Sequence, residues 1–256
     1  MLRQLLAGGV VAGLAFAHPA VVRSPPTAPV PVVVELFTSE GCSSCPPADA
    51  VLATLVETQP VKGALIIGLS EHVDYWDRLG WKDPFSDHSF TQRQSAYAAA
   101  SGSGEVYTPQ VIIDGGQALV GSDRAAAEAA ITHAAARGKA PVLLALSSRA
   151  PLVLSIDVPP GPTTVNAQVS LAIVEDGLTS AVKGGENSGR ALRHAAVTRR
   201  FVSLGRVSKD AGFSREVPLD LDPRWKRDAL HALVIVQFAS VGPVMAAGTV
   251  RLGEAR

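Results

Sequence analysis

The sequence predicts an α/β domain followed by an all-β, sandwich-like domain. Three observations carry this. Between Val32 and Arg137 the apolar runs read strand-like and helix-like in the order β-α-β-α-β-β-α. After Pro141 helical periodicity stops, and about seven alternating segments follow, divided by Gly- and Pro-rich turns. The 256 residues are 47% hydrophobic with a mean hydropathy of +0.22, which is enough apolar surface for a sizeable core and argues against disorder. Lys plus Arg and Asp plus Glu are both 23, so the net charge is zero and the basic excess of a nucleic-acid binder is absent.

Residues 1–17 read as a secretory signal. Arg3 precedes an apolar run from Leu5 to Phe16, which ends in the small-residue site Ala15-Phe16-Ala17. The run is short for a bilayer span. Residues 18–30 carry Pro19, Pro25, Pro26 and Pro29 and read as an extended tether. The expectation is a secreted or periplasmic protein with no stable membrane insertion after signal cleavage. In such a compartment disulfides form and persist.

The first domain is placed at 31–139. Val32 to Phe37 is a β-branched, apolar strand. A helix is expected from about Cys45 to Thr58, with Val51, Leu52, Leu55 and Val56 on one face. Val61 to Ser70 is the second strand, Ser89 to Ala100 a helix, and Glu105 to Asp114 the third strand. Asp114 and Gly115 suit a hairpin turn into a short strand, Gln117 to Val120. Asp123 caps a last helix, Arg124 to Arg137. The second domain is placed at 141–256. Its strands are Val142 to Ser148, Leu152 to Val158, Thr164 to Glu175, Ala191 to Leu204, Phe213 to Leu221, Ala229 to Ala239 and Val244 to Leu252.

The chemistry-bearing motif holds both cysteines of the chain, Cys42 and Cys45, separated by Ser43 and Ser44. They follow a buried strand and enter a helix, whose free N–H groups and dipole favour an anion. A thiolate is the nucleophile in disulfide exchange, and this position lowers its pKa. Cys42, nearer the loop, is expected to be the exposed attacker and Cys45 the resolving thiol. Pro46 and Pro47 fall in the first helical turn, where a missing N–H costs little.

The motif, the strand Val34–Phe37 ahead of it, Thr108-Pro109 at the third strand and the 112–121 hairpin together resemble the thioredoxin superfamily over about Val32 to Arg137. More narrowly, Val34–Asp49, His72–Asp77, Gly80–Phe85 and Val106–Gln110 resemble a family of secreted bacterial proteins of unknown function with a β-rich tail. Gly185–Arg190 and Leu192–His194 resemble its tail motif. The resemblance implies a cis peptide bond at Pro109, with the Thr108 backbone across the cysteine pair and pairing with an incoming extended peptide. It also implies a buried carboxylate behind the resolving cysteine, a place that Glu35 lies one or two residues from. Buried, Glu35 would have a raised pKa and accept the second thiol's proton; an exposed or capping Glu35 is the alternative.

The implied activity is thiol–disulfide oxidoreduction without a cofactor. Its partners would be protein or small-molecule thiols and disulfides, with a membrane redox partner as a source or sink of electrons. Two other readings stay open. Cys42–Cys45 can be a structural staple, although so short a loop gains only about 2 kcal/mol. Alternatively, Cys42, Cys45 and His72 can hold Cu(I), which suits soft ligands, making the protein a copper-binding or other non-catalytic binding module. His88, His133, His194 and His231 are scattered, and Glu186–Gly189 reads as a turn.

Overall fold

The computed structural model describes residues 28–147 and 151–253. The expected signal segment, 1–17, and all but the end of the tether, 18–30, lie outside the described residues. Three α-helices and thirteen strands are present among the described residues, in a mixed α/β fold built on one large sheet.

Strand β1 (Val30–Thr38) pairs in parallel with β2 (Ala64–His72), and helix α1 (Pro46–Thr58) crosses between them. α1 ends at Gln59, which is left-handed and sends its N–H back to Leu55 O. Residues 61–63 turn rather than extend, so β2 begins at Ala64 and not at Val61. A 3-10 turn over Asp74–Leu79 precedes α2 (His88–Ser101), which Asp87 caps through Ser89 N. β3 (Gln110–Ile113) runs antiparallel to β1 and turns into β4 (Ala118–Val120). α3 (Arg124–Ala135) is capped by Asp123, as its sequence position requires. Val34, Leu36, Ala48, Leu52, Leu55, Val111, Ala127 and Ile131 share one core, which fixes α1 and α3 on the same face of β1. Phe37, Tyr97 and Ile112 meet elsewhere, where α2 lies.

The chain then adds β5 (Leu143–Leu146), β6 (Val153–Val158), β7 (Gln168–Glu175), β8 (Leu178–Ala181), β9 (Ala191–His194), β10 (Val197–Arg206), β11 (Phe213–Pro218), β12 (Leu230–Gln237) and β13 (Val244–Arg251). The helices stop near residue 140, but the sheet does not. Its order is β13-β12-β7-β10-β2-β1-β3-β4, with β10 joining β2 where Val197 meets Ser70. β5, β6 and β11 form a second sheet. Alternation along β7 serves two cores: Val169, Leu171 and Ile173 pack with Leu154 and Ile156 of β6, whereas Ala172 and Val174 join the core of α1.

The run expected as one strand from Ala191 to Leu204 is two. It breaks at Ala196, whose φ of 54° no regular strand holds, and the N-terminal piece turns away to pair with β8 as a separate hairpin. That hairpin sits beside α1.

Candidate functional site

β1 delivers the chain to a seven-residue loop, 39–45, that ends at the start of α1. Cys42 and Cys45 are joined by a disulfide, with Cα atoms 5.4 Å apart. The turn is closed by Cys45 N donating to Cys42 O (3.2 Å). Cys45 is the N-cap, and its carbonyl accepts from Ala48 N (2.8 Å) and Asp49 N (3.1 Å). Pro46 and Pro47 occupy the first two helical positions, which have no need of an N–H.

One expectation is corrected here. Cys42 is not the exposed member of the pair: both cysteines are 0% exposed, while Ser43 and Ser44 face solvent. The backbone of this loop is held from far along the chain. The buried side chain of Asn187, between β8 and β9, donates to Glu40 O (2.9 Å) and Cys42 O (2.8 Å), while Arg190 donates to its Oδ1 (2.6 Å). Exposed Glu186 accepts from Ser43 N (2.8 Å), which holds its carboxyl below the usual range. The 186–189 segment is a turn, as its composition suggests, but a docked one.

Thr108-Pro109 is the one cis peptide bond among the described residues. Its placement follows from two neighbours. Trp76 Nε1 donates to Thr108 Oγ1 (2.8 Å), and Trp76 Cβ would lie 3.1 Å from a Cβ on Gly41, so one tryptophan reaches both the proline bend and the cysteine loop. Gly121 leaves room for the rest: a Cβ there would fall 3.0 Å from Ala48 and 3.1 Å from Pro109. Gly121 therefore sits between Pro109 and the first turn of α1, and the third strand starts only after the proline, at Gln110.

Behind the loop, on the α1 side, is a buried polar cluster. His72 Nδ1 pairs with Asp83 Oδ2 (2.7 Å), and Asp83 also accepts from Glu40 N (2.8 Å). Glu40 pairs with His194 Nε2 (3.0 Å) and accepts from Trp81 Nε1 (2.7 Å) and Ser180 Oγ. The two imidazoles are 5.0 Å apart, and Phe85 packs edge-on to both. His72 Nε2 and His194 Nδ1 have no hydrogen-bond partner. Burial alone would lower His72, but Asp83, Asp49 and Glu40 outweigh it and the net shift is upward. Asp83 is also buried, yet His72 and its N–H donors hold it below the usual carboxylate range. Asp49, one helical turn after Cys45, is hydrogen-bonded by Thr38 (2.8 Å), and burial raises its carboxyl despite both histidines.

Glu35 lies elsewhere. It is fully buried, but it points to α2, where Arg93 Nε (2.7 Å) and Tyr97 OH (2.6 Å) hold it. Successive residues of a strand face opposite ways, so Leu36, not Glu35, faces α1. Asp49, one helical turn after Cys45, is a buried carboxylate on the α1 side. Glu71 lies beside the Glu35 group, 3.6 Å from Arg93, and burial pushes it up to about 8. Among the described residues no group of three such side chains suited to a metal occurs, so Cys42, Cys45 and His72 are not brought together as one. His88 and His231 pair with Asp74 and Asp176 away from the loop. No described helix is long and apolar enough to cross a membrane.

Sequence reasoning found the cysteines and Thr108-Pro109 but missed Glu40, Asp49, Asp83, Asn187 and His194 as parts of one site. Their signal lay only in the motif stretches 34–49, 80–85 and 185–194, which nothing local joins.

A family model described as a protein of unknown function, DUF1223, matches residues 33–237. No curated protein matches. The fold is similar to a crystal structure of an Agrobacterium tumefaciens protein solved in a structural-genomics programme, with 28% identity and a TM-score of 0.71 over 89% of this chain and 96% of that one. It is also similar to HBP35 of Porphyromonas gingivalis, with 15% identity and a TM-score of 0.63 over 91% of this chain and 78% of that one, a likeness of fold alone.

Proposed function

The chain belongs to the DUF1223 family, which assigns it no activity, and from the chemistry of its site we propose that it is a secreted or periplasmic thiol–disulfide oxidoreductase with a thioredoxin-like N-terminal part. The observation that carries this reading is the position of the disulfide. Cys42–Cys45 caps the N-terminus of α1, and the cis Thr108-Pro109 bend approaches the same helical turn with only Gly121 between them. The helix N-terminus stabilises the thiolate released when that disulfide opens.

In the oxidised state, a partner thiolate attacks Cys42 Sγ. A sulfur–sulfur bond forms between partner and Cys42, and the Cys42–Cys45 bond breaks, releasing the Cys45 thiolate. A second partner thiolate then attacks the mixed disulfide and releases Cys42. The partner leaves as a disulfide, two electrons poorer, and the pair is left as two thiols. A further disulfide-bearing protein would reoxidise the pair, and the same steps run in reverse reduce a partner. Asp49, one helical turn after Cys45 and with its carboxyl raised by burial, would be the group to exchange a proton with Cys45. Thr108 and Pro109 would align the partner, and the β-rich residues 141–256 would complete the site.

The burial of both sulfurs favours one competing reading, a closed structural disulfide. Insulin reduction and oxidative refolding of a reduced protein separate the two. The wild-type chain should accelerate one of them, and Cys42→Ala should abolish the effect. Absence of acceleration in both assays, with the disulfide shown to cycle chemically, would leave the structural reading.

A further inference from the structure

The loop that carries the two buried sulfurs is bonded by a segment that begins some 140 residues beyond it. β8 and β9 form a two-stranded hairpin of their own, outside both larger sheets. It leaves the main sheet at Gly177 and returns at Ala196, both with positive φ. Its base is anchored, because Ser180 and His194 bond Glu40 and Val182 and Leu192 are buried. Its tip is held differently. Residues 183–190 are half-buried or exposed except for Asn187, which is 0% exposed. The tip touches the cysteine loop through three hydrogen bonds, two from the Asn187 amide and one to Glu186, and it lies flat on Gly80, where a Cβ on Gly184 would meet Gly80 O at 2.2 Å. A buried side chain at the apex of an exposed turn, spending both its N–H groups on carbonyls of the reactive loop, is a latch.

We propose that residues 184–189 form a lid latched by Asn187 over Cys42–Cys45, and that thiols reach Cys42 only when the lid lifts. This rests on the exchange reading for its purpose but not for its test. Lifting frees the carbonyls of Glu40 and Cys42 and the N–H of Ser43, two acceptors and one donor along a single stretch of loop. The backbone of an extended polypeptide can satisfy these groups, so the partner that opens the lid is a peptide segment carrying a thiol or disulfide rather than a bare small thiol.

The test measures reduction of the intact protein by glutathione at fixed pH, read as the mass added by an alkylating reagent after quenching. One glutathione thiolate attacks Cys42 and a second resolves the mixed disulfide, leaving two protein thiols and oxidised glutathione. The wild-type disulfide should react at least tenfold more slowly than the one in a free Cys-Ser-Ser-Cys peptide. Asn187→Asp, equal in size but facing both carbonyls with a carboxylate, should raise the rate about tenfold. Glu186→Lys, at a fully exposed position, should raise it severalfold. Wild-type reduction as fast as the free peptide would overturn the lid. So would an unchanged rate in folded Asn187→Asp, or, if that variant does not fold, in Glu186→Lys. A faster reduction in the variants, with no turnover of insulin or of a reduced folding substrate by any form, would sustain the lid and sink the oxidoreductase reading.

Discussion

Glu71 gives the pH dependence of stability its sign. Burial lifts its carboxyl from 4.5 to about 8, with Arg93 pulling down and Glu35 pushing up. Between those values the folded chain holds a proton that the unfolded chain gives up. Its contribution is therefore complete below pH 4.5 and is lost as pH rises through 8. His72, raised above 6.5, acts in the same sense, whereas Asp83, lowered below 3.8, contributes above that value and loses its effect as pH falls. Stability should peak in mildly acidic solution and decline towards pH 9. Glu71→Gln should flatten that decline, gaining about 1–4 kcal/mol on the wild type between pH 5 and 9 in urea unfolding. An unchanged slope would show that Glu71 is ionised in the folded protein. At this scale the sequence exposes some groups and hides others. A Cys-x-x-Cys after a strand, or Thr-Pro before one, is visible in a few consecutive letters. The role of Glu35 turns on which way one residue of β1 faces, and a shift of one position reverses that. Glu40 and His194 are 154 positions apart and meet only in three dimensions.

Among the elements, the 114–116 turn shows how closely the two halves of the chain touch. Gly115 has a φ of 67°, and a Cβ there would fall 1.9 Å from Gly242 O in the β12–β13 turn. Backbone meets backbone, so no rotamer change relieves the clash. Gly115→Ala should cost about 2–4 kcal/mol, read as a lower urea midpoint at unchanged slope. Asp114 supports the same junction, with Val244 N donating to its carbonyl and Lys139 to its carboxylate. The elements with long apolar periodicity, α1, α3, β7 and β12, are legible in the sequence to within a few residues. β8 is not, since Leu178–Ala181 is four residues of mixed polarity. The break at Ala196 is also silent, because alanine does not announce a positive φ.

Over the whole molecule, helices end near residue 140 while the sheet continues through β10 into β7, β12 and β13. Val174, Leu233 and Ile235 share a core with Leu52, Leu55 and Ile67. A fragment ending at Lys139 would lose these neighbours and expose the β2 edge, so it should show no cooperative thermal transition by circular dichroism, whereas the full chain should. A cooperative melt of the fragment would mean that the first half holds its own core. The change of texture at Pro141 was readable in the sequence, but strand order was not, since local periodicity says nothing of which strand a later one will join. The distance between the cysteine loop and the turn that bonds it also sets an order of events. Ribosomes make Cys42 and Cys45 long before Asn187, and the contact between them spans 145 positions. On the lid proposal, the nascent pair would lack its latch until the late hairpin docks, and oxidation in that interval would precede the closing of the site.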